Sequence, residues 1–332
     1  MQQSRSDGFT LIELMVTAGL LLMLVAGITG VFTSQQQTHM VVDQVTAAQQ
    51  SVRAAAQLIA RDIRRAGYMV PRNAAACAFD QTTGPDTLFV SDADAIRSVF
   101  DLEADDEDLR GHFGAPISGE GTGATLAGAA RAISLQRLWV DVQADGDDFA
   151  ARRGVIVVDR ARPDAPAACG EISSIAGNTL TVDFGNSSHT VGSNADLVAV
   201  PAHVYRLEAV PAGGGDRLLR DEQLLSSGVE DFQLTFFIDE DDDRVLDAGE
   251  LYSDAGTTAA PWEMPASNRP DFSLLREIGV HLVTVTRDDD PRPEFQQGSG
   301  QIRGNRDAAS LPVTDGKRRR TSSSRVRLRN TG

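Results

Sequence analysis

Two cysteines in 332 residues, Cys77 and Cys169, are too few and too far apart to hold a zinc cluster or a C-x-x-C redox pair. They leave two readings open: buried free thiols, or one disulfide if this part of the chain faces an oxidising compartment. Aromatic residues are scarce, and none interleaves with the basic run at the carboxyl end, so little is present from which to build a base-stacking surface. Lysine is nearly absent too: Lys317 is the only one, and arginine carries almost all positive charge, a compositional bias without functional content. There is no G-x-S-x-G elbow, no phosphate-binding glycine loop and no H-E-x-x-H helix. The histidines (His39, His112, His189, His203, His281) fall singly and read as surface or satisfied core residues. With no catalytic constellation, the chain is read as a non-enzyme that requires no cofactor.

What is present is acidic. The formal net charge of -16 argues against a generic nucleic-acid binder and fits a head that stays dispersed in water. Acid clusters occupy the middle, at Asp101 to Asp108 and Asp239 to Asp243, and a basic stretch runs from Lys317 to Arg329.

Against that background the segment 9–32, "FTLIELMVTAGLLLMLVAGITGVF", stands out. About 20 apolar residues cross a hydrocarbon core of about 30 Å, so this run is long enough to span a membrane. It holds one charge, Glu13. A carboxylate near a bilayer centre costs about 3 kcal/mol on insertion scales, so Glu13 calls for a partner or an interfacial position. A cleaved secretory signal would have a shorter apolar core followed by a small-residue site. Here the polar leader "MQQSRSDG" ends in Gly8 ahead of the apolar run, which places any processing site on the opposite side.

The order Gly8-Phe9-Thr10-Leu11-Ile12-Glu13 at the head of a span resembles the class III signal of type IV prepilins and of type II secretion pseudopilins. The resemblance implies cleavage between Gly8 and Phe9 by a prepilin peptidase, N-methylation of Phe9, and a match of Glu13 to the family's glutamate at the fifth mature position. In a filament the Phe9 ammonium of an incoming subunit would pair with Glu13 of a neighbour, each charge relieving the other's burial in a low dielectric.

Beyond the span, apolar residues recur at Val41, Val45, Ala48, Val52, Ala55, Ile59, Ile63 and Ala66, one face of an amphipathic helix that Gly67 and Pro71 end. After Pro71 the period changes to two. Strands are expected at 87–90, 132–143, 154–159, 179–184, 197–210, 229–239, 277–287 and 324–330, with long loops or mobile insertions at 92–130 and 288–322. The expected organisation is a leader at 1–8, a transmembrane and filament-core helix at 9–32, an amphipathic stalk helix at 33–67 and a β-rich head at 68–332. The fold class is α+β: a long N-terminal helix packed on a mainly antiparallel sheet.

Three further stretches, "RDIRRAGYMV", "LLSSGVEDFQLTFFIDEDDD" and "RVRLRN", resemble the PilW group of minor pilins. That resemblance implies a pilus-tip subunit that primes assembly with other minor and major pilins and helps carry a PilY-type adhesin. It would sit in the inner membrane with its head in the periplasm before reaching the surface pilus, in the service of motility, adhesion or DNA uptake. Two alternatives stay open: a J-like minor pseudopilin capping a type II secretion filament, and a DNA-binding pilus component using "KRRR" (317–320) with Arg325, Arg327 and Arg329. Alternating arginines are also what one solvated strand face requires, so nucleic acid is not expected as a partner.

The exported setting favours a Cys77 to Cys169 disulfide. One more pattern is "DEDDDRVLDAGE", 239–250, in which Asp239, Asp241, Asp243, Asp247 and Glu250 hold positions one, three, five, nine and twelve. Those are the side-chain ligand positions of an EF-hand-type calcium loop, with the backbone carbonyl of Val245 at seven. Arg244 stands where such a loop wants glycine. Calcium binding and a plain solvated acidic turn are both expectations for this segment.

Overall fold

The computed structural model describes residues 10–68, 70–79, 84–91, 115–136, 149–162, 165, 167–185, 187–210, 216–252, 272–289, 300–301, 312–313 and 317–329. The chain divides into two compact units, Met1–Ala47 and Ala48–Gly332. A single helix, α1 (Leu11–Arg65), supplies all the described secondary structure of the first unit and opens the second. No proline interrupts it, since the first in the chain is Pro71.

In the first unit α1 contains an 18-residue window of mean hydropathy 2.4, none of it buried, long and apolar enough to cross a membrane. Leu11, Leu21, Met23, Ile28 and Phe32 are all exposed, so their apolar surface requires lipid or neighbouring chains.

In the second unit the same helix is amphipathic. Val52, Ala55, Ile59, Ile63 and Ala66 are buried, at the expected three-four spacing, and Gly67 ends the helix with φ +80 while its N–H donates to the Ser91 carbonyl at 3.0 Å. The strands that follow are β1 (Ala76–Phe79), β2 (Thr87–Val90), β3 (Ala115–Ser118), β4 (Thr125–Ala127), β5 (Arg131–Leu135), β6 (Gly154–Asp159), β7 (Ala168–Ala176), β8 (Thr179–Asp183) and β9 (Ser188–Thr190). They continue with β10 (Leu197–Glu208), β11 (Asp216–Arg220), β12 (Gln223–Ile238), β13 (Leu251–Tyr252), β14 (Leu275–Val285), β15 (Gly300–Gln301), β16 (Pro312–Val313) and β17 (Arg319–Arg327). All described pairings are antiparallel.

Two sub-structures share one strand. The helix-backing sheet runs β1-β2-β10-β11-β12-β14-β17, with β13 added on β12. A second set, β10-β3-β5-β8-β7-β6, returns to β10 and closes a ring. Within β10, Leu197–Ala202 pairs with β6 and belongs to the ring, whereas residues from His203 onward pair with β2 and β11. Pro201, which has no N–H to offer a ladder, falls next to this switch. Gly154 opens β6 at the same junction, where a Cβ would lie 2.7 Å from the Phe89 ring and 3.0 Å from the Ala202 carbonyl oxygen. Only glycine fits there.

Two cores result. One lies between α1 and the sheet and includes Ile59, Ile63, Phe89, Val204, Phe232 and Phe236. The other fills the ring with Ile133, Val155, Val157, Ile172, Leu180 and Phe184.

The α+β architecture is as the sequence predicts, and the ring is not. Within 92–130, read as loop, the structure places β3 and β4; within 288–322 it places β15, β16 and the start of β17. These strands are short, or polar where they face water, which removes the alternation that marks a half-buried strand. The strand expected over 132–143 is realised at Arg131–Leu135, and 137–143 lie outside the described residues.

Candidate functional site

Gly8 and Phe9 lie outside the described residues. Glu13 lies within them, and its environment answers part of the question its charge poses. Thr10 caps the helix: its carbonyl accepts the Leu14 N–H at 3.2 Å, and its hydroxyl accepts the Glu13 N–H at 3.3 Å. In return Glu13 Oε2 accepts the Thr10 N–H at 3.2 Å and the Thr10 hydroxyl at 3.1 Å. This is a capping box, with the carboxylate held at the positive end of the helix dipole. The T-x-x-E spacing was available in the sequence as a signal for it. The box turns the Glu13 carboxylate back toward the start of the helix.

The head is fastened to α1 by a buried polar cluster that the sequence does not announce. Asp62, 1% exposed, accepts the Tyr205 hydroxyl at 2.5 Å and a guanidinium N–H of Arg220 at 2.9 Å. Tyr205 and Arg220 are register partners across β10 and β11, so both side chains leave the same face of the sheet and converge on one carboxylate. Burial, with the Asp62 charge beside it, holds the Tyr205 phenol well above its ordinary value, so it remains a donor. Near by on the chain, His203 Nδ1 and Asp221 Oδ2 are 2.7 Å apart, and Asp221 Oδ1 accepts the Val204 N–H at 2.9 Å. Burial pushes the Asp221 carboxyl up, but the His203 and Val204 bonds outweigh it and hold the group below its ordinary range.

Cys77 and Cys169 are joined as a disulfide with Cα atoms 6.1 Å apart, both fully buried. Cys77 sits in β1 opposite Phe89, and Cys169 in β7 opposite Ile156. The bond therefore ties the edge of the helix-backing sheet to the ring.

The segment 239–250 connects β12 to β13 as a closed loop. One carboxylate oxygen each of Asp239, Asp241 and Asp243 lies within 4.8 Å of the other two. Glu250 bonds across the loop, with Oε1 accepting the Glu240 N–H at 2.8 Å and Oε2 the Asp247 N–H at 2.9 Å, and Asp247 and Glu250 form a capping box. Val245 stands out in solvent. Arg244 takes the left-handed conformation glycine would have supplied, at φ +68, so the turn forms despite the substitution.

The basic carboxyl stretch is largely engaged within the head. Arg319 is buried against Glu230, and Arg325 pairs with Glu277 while lying 3.6 Å over the Phe237 ring.

Residues 3–29 match the family model of the prokaryotic N-terminal methylation motif, the prepilin-type signal. No curated protein and no solved structure matches the chain. The matched signal implies processing by prepilin peptidase and assembly with other pilins. With the apolar helix, it fits an inner-membrane-anchored, pilin-like precursor that is later built into a surface filament.

Proposed function

We propose that the protein is a PilW-like minor pilin of a type IV pilus, a non-catalytic subunit that primes assembly and sits at or near the tip. The observation that carries this reading is the prepilin-type signal at the head of a helix that leaves a wholly exposed apolar segment before locking into a folded head. Three features support the finer assignment. Glu13 is held at the helix start by Thr10, the position from which it would meet an incoming amine. The ring adds bulk to the sheet, and a bulky head is costly to repeat in every subunit of a close-packed filament. The arginines of β17 are partly occupied by Glu230, Glu277 and Phe237, which favours a protein partner, such as other pilins or a PilY-type adhesin, over nucleic acid.

Two variants in cells that express the pilus test the reading. Gly8→Leu should accumulate a precursor that retains the leader, because the peptidase must approach the chain closely at the cut. Glu13→Ala should be processed normally and be lost from sheared filaments. A mature Phe9 amino terminus in the first variant, or full incorporation of the second, contradicts the proposal. Recovery of the wild-type protein with a type II secretion filament and not with pili would assign it to the J-like pseudopilins instead.

A further inference from the structure

We infer that the loop between β12 and β13 is a calcium site. Asp239 directly follows β12 and has no exposure to solvent. Its Oδ2 accepts the Arg244 N–H and the Arg276 Nε–H, each at 3.2 Å, but its Oδ1, equally buried, has no hydrogen-bond donor. A buried carboxylate oxygen without a donor is among the costliest polar groups a fold can retain. The same carboxylate stands beside those of Asp241 and Asp243, each offering an oxygen within 4.8 Å of the others. Both of these aspartates are exposed. A cation seated against Oδ1 would supply what that oxygen lacks and relieve repulsion that the protein relieves only in part.

The charge balance favours a cation. Within 239–250 the carboxylates are Asp239, Glu240, Asp241, Asp242, Asp243, Asp247 and Glu250. Arg244 is the one basic residue of the segment, and Arg276, from β14, bonds Asp239 and Asp242 from outside it. The two guanidiniums compensate a minority of the charge.

The ligand type argues for calcium over a transition metal, because every side-chain donor in the group is a carboxylate oxygen and, among the described residues, no histidine or thiol joins them. Magnesium fits less well, since it demands tight octahedral geometry and retains its waters, whereas a twelve-residue loop is adaptable. Arg276 competes for Asp239, and both Glu250 oxygens already accept backbone N–H groups, so the site is weak. An affinity of about 0.1–1 mM, the range of extracellular modules, follows. The head would then be firmer where calcium is millimolar than in the cytoplasm.

The test uses the full-length chain in detergent micelles, stripped with a chelator and titrated with calcium chloride. Calorimetry should give one site in that range, and 5 mM calcium should raise the melting temperature by a few degrees relative to the same ionic strength of sodium chloride. Terbium in place of calcium should show tyrosine-sensitised emission, since Tyr252 bonds Glu240 at the loop's end. The double change Asp241→Asn with Asp243→Asn alters two exposed side chains, leaves the fold in place, and should weaken binding at least tenfold. Asp239→Asn should abolish it; if that variant does not fold, the double variant still decides. No heat and no melting shift up to 10 mM calcium would overturn the inference. So would equal binding by the double variant.

Discussion

Reducing the disulfide should weaken the head by several kcal/mol without changing any other side chain. The bond closes a chain segment with a sequence separation of 92. In the chain-entropy model, removing such a cross-link restores freedom to the unfolded chain that is equivalent to about 4.6 kcal/mol at 25 °C. Both sulfurs are fully buried between the helix-backing sheet and the ring, so reduction also leaves two thiols in place of one compact bridge. The assay is urea unfolding of the full-length protein in detergent, followed by circular dichroism, with and without a phosphine reductant. At a slope of about 3 kcal/mol/M, the upper end for small proteins, the midpoint should fall by about 1.5 M. Cys77→Ala with Cys169→Ala should lie at or below the reduced wild type and ignore the reductant. Coincident oxidised and reduced curves would refute the reasoning, as would two free thiols found by mass spectrometry after export.

Asp231 should make stability fall as pH rises through the acid range. Its Oδ1 accepts Gln233 at 2.9 Å, its Oδ2 has no donor, and burial pushes the carboxyl from the ordinary 3.8 up to about 6. The folded state thus holds the proton between those values, and the penalty, at most about 3 kcal/mol, is complete above pH 6 and absent below pH 4. Asp231→Asn should therefore raise the melting temperature at pH 7.5 and leave it unchanged at pH 3.5, and an equal effect at both would contradict this. Asp62→Ala strands the Arg220 guanidinium and should cost about 3–5 kcal/mol, while Tyr205→Phe loses one charge-assisted bond and should cost about 1.5–3 kcal/mol. Urea midpoints showing less than about 0.5 kcal/mol for both would mean that the cluster does not fasten the helix. Arg244→Gly should stabilise by about 1 kcal/mol, because it removes a side chain from the φ +68 position, and a loss of stability would contradict that account.

The helix was legible because its signals are local and long: an apolar run, then a stripe at three-four spacing, then Gly67. Most long strands were legible for the same reason; 154–159 is realised as expected, and 197–210 loses only its last two residues. The ring was not, since closure depends on β10 pairing with both β3 and β6, far from it in sequence. β7, "ACGEISSIA", alternates too weakly to announce itself, and β1, "ACAF", is short and built of small residues. Asp62, Tyr205 and Arg220 could not be linked in advance, because Asp62 and Tyr205 stand 143 residues apart and each type is common on surfaces. The amino-terminal site was the reverse case. Its order of residues was readable at once, and the T-x-x-E spacing also carried the capping role of Thr10, which the Glu13 carboxylate displays by turning back onto it.

Asp62 has a consequence for how the head bears tension. A pull along the carboxyl-terminal part of α1 reaches the sheet through a residue that grips two adjacent strands, β10 and β11, and both are interior to the sheet order. Tyr205 is paired on one side with Arg220 and on the other with Leu88. Load entering there spreads into ladders on both flanks, so it does not peel a free edge one hydrogen bond at a time. The first half of β10 is also anchored in the ring, and the disulfide ties ring to sheet a second time. While the Asp62 contacts hold, unfolding of the sheet under such a load requires several ladders to break together.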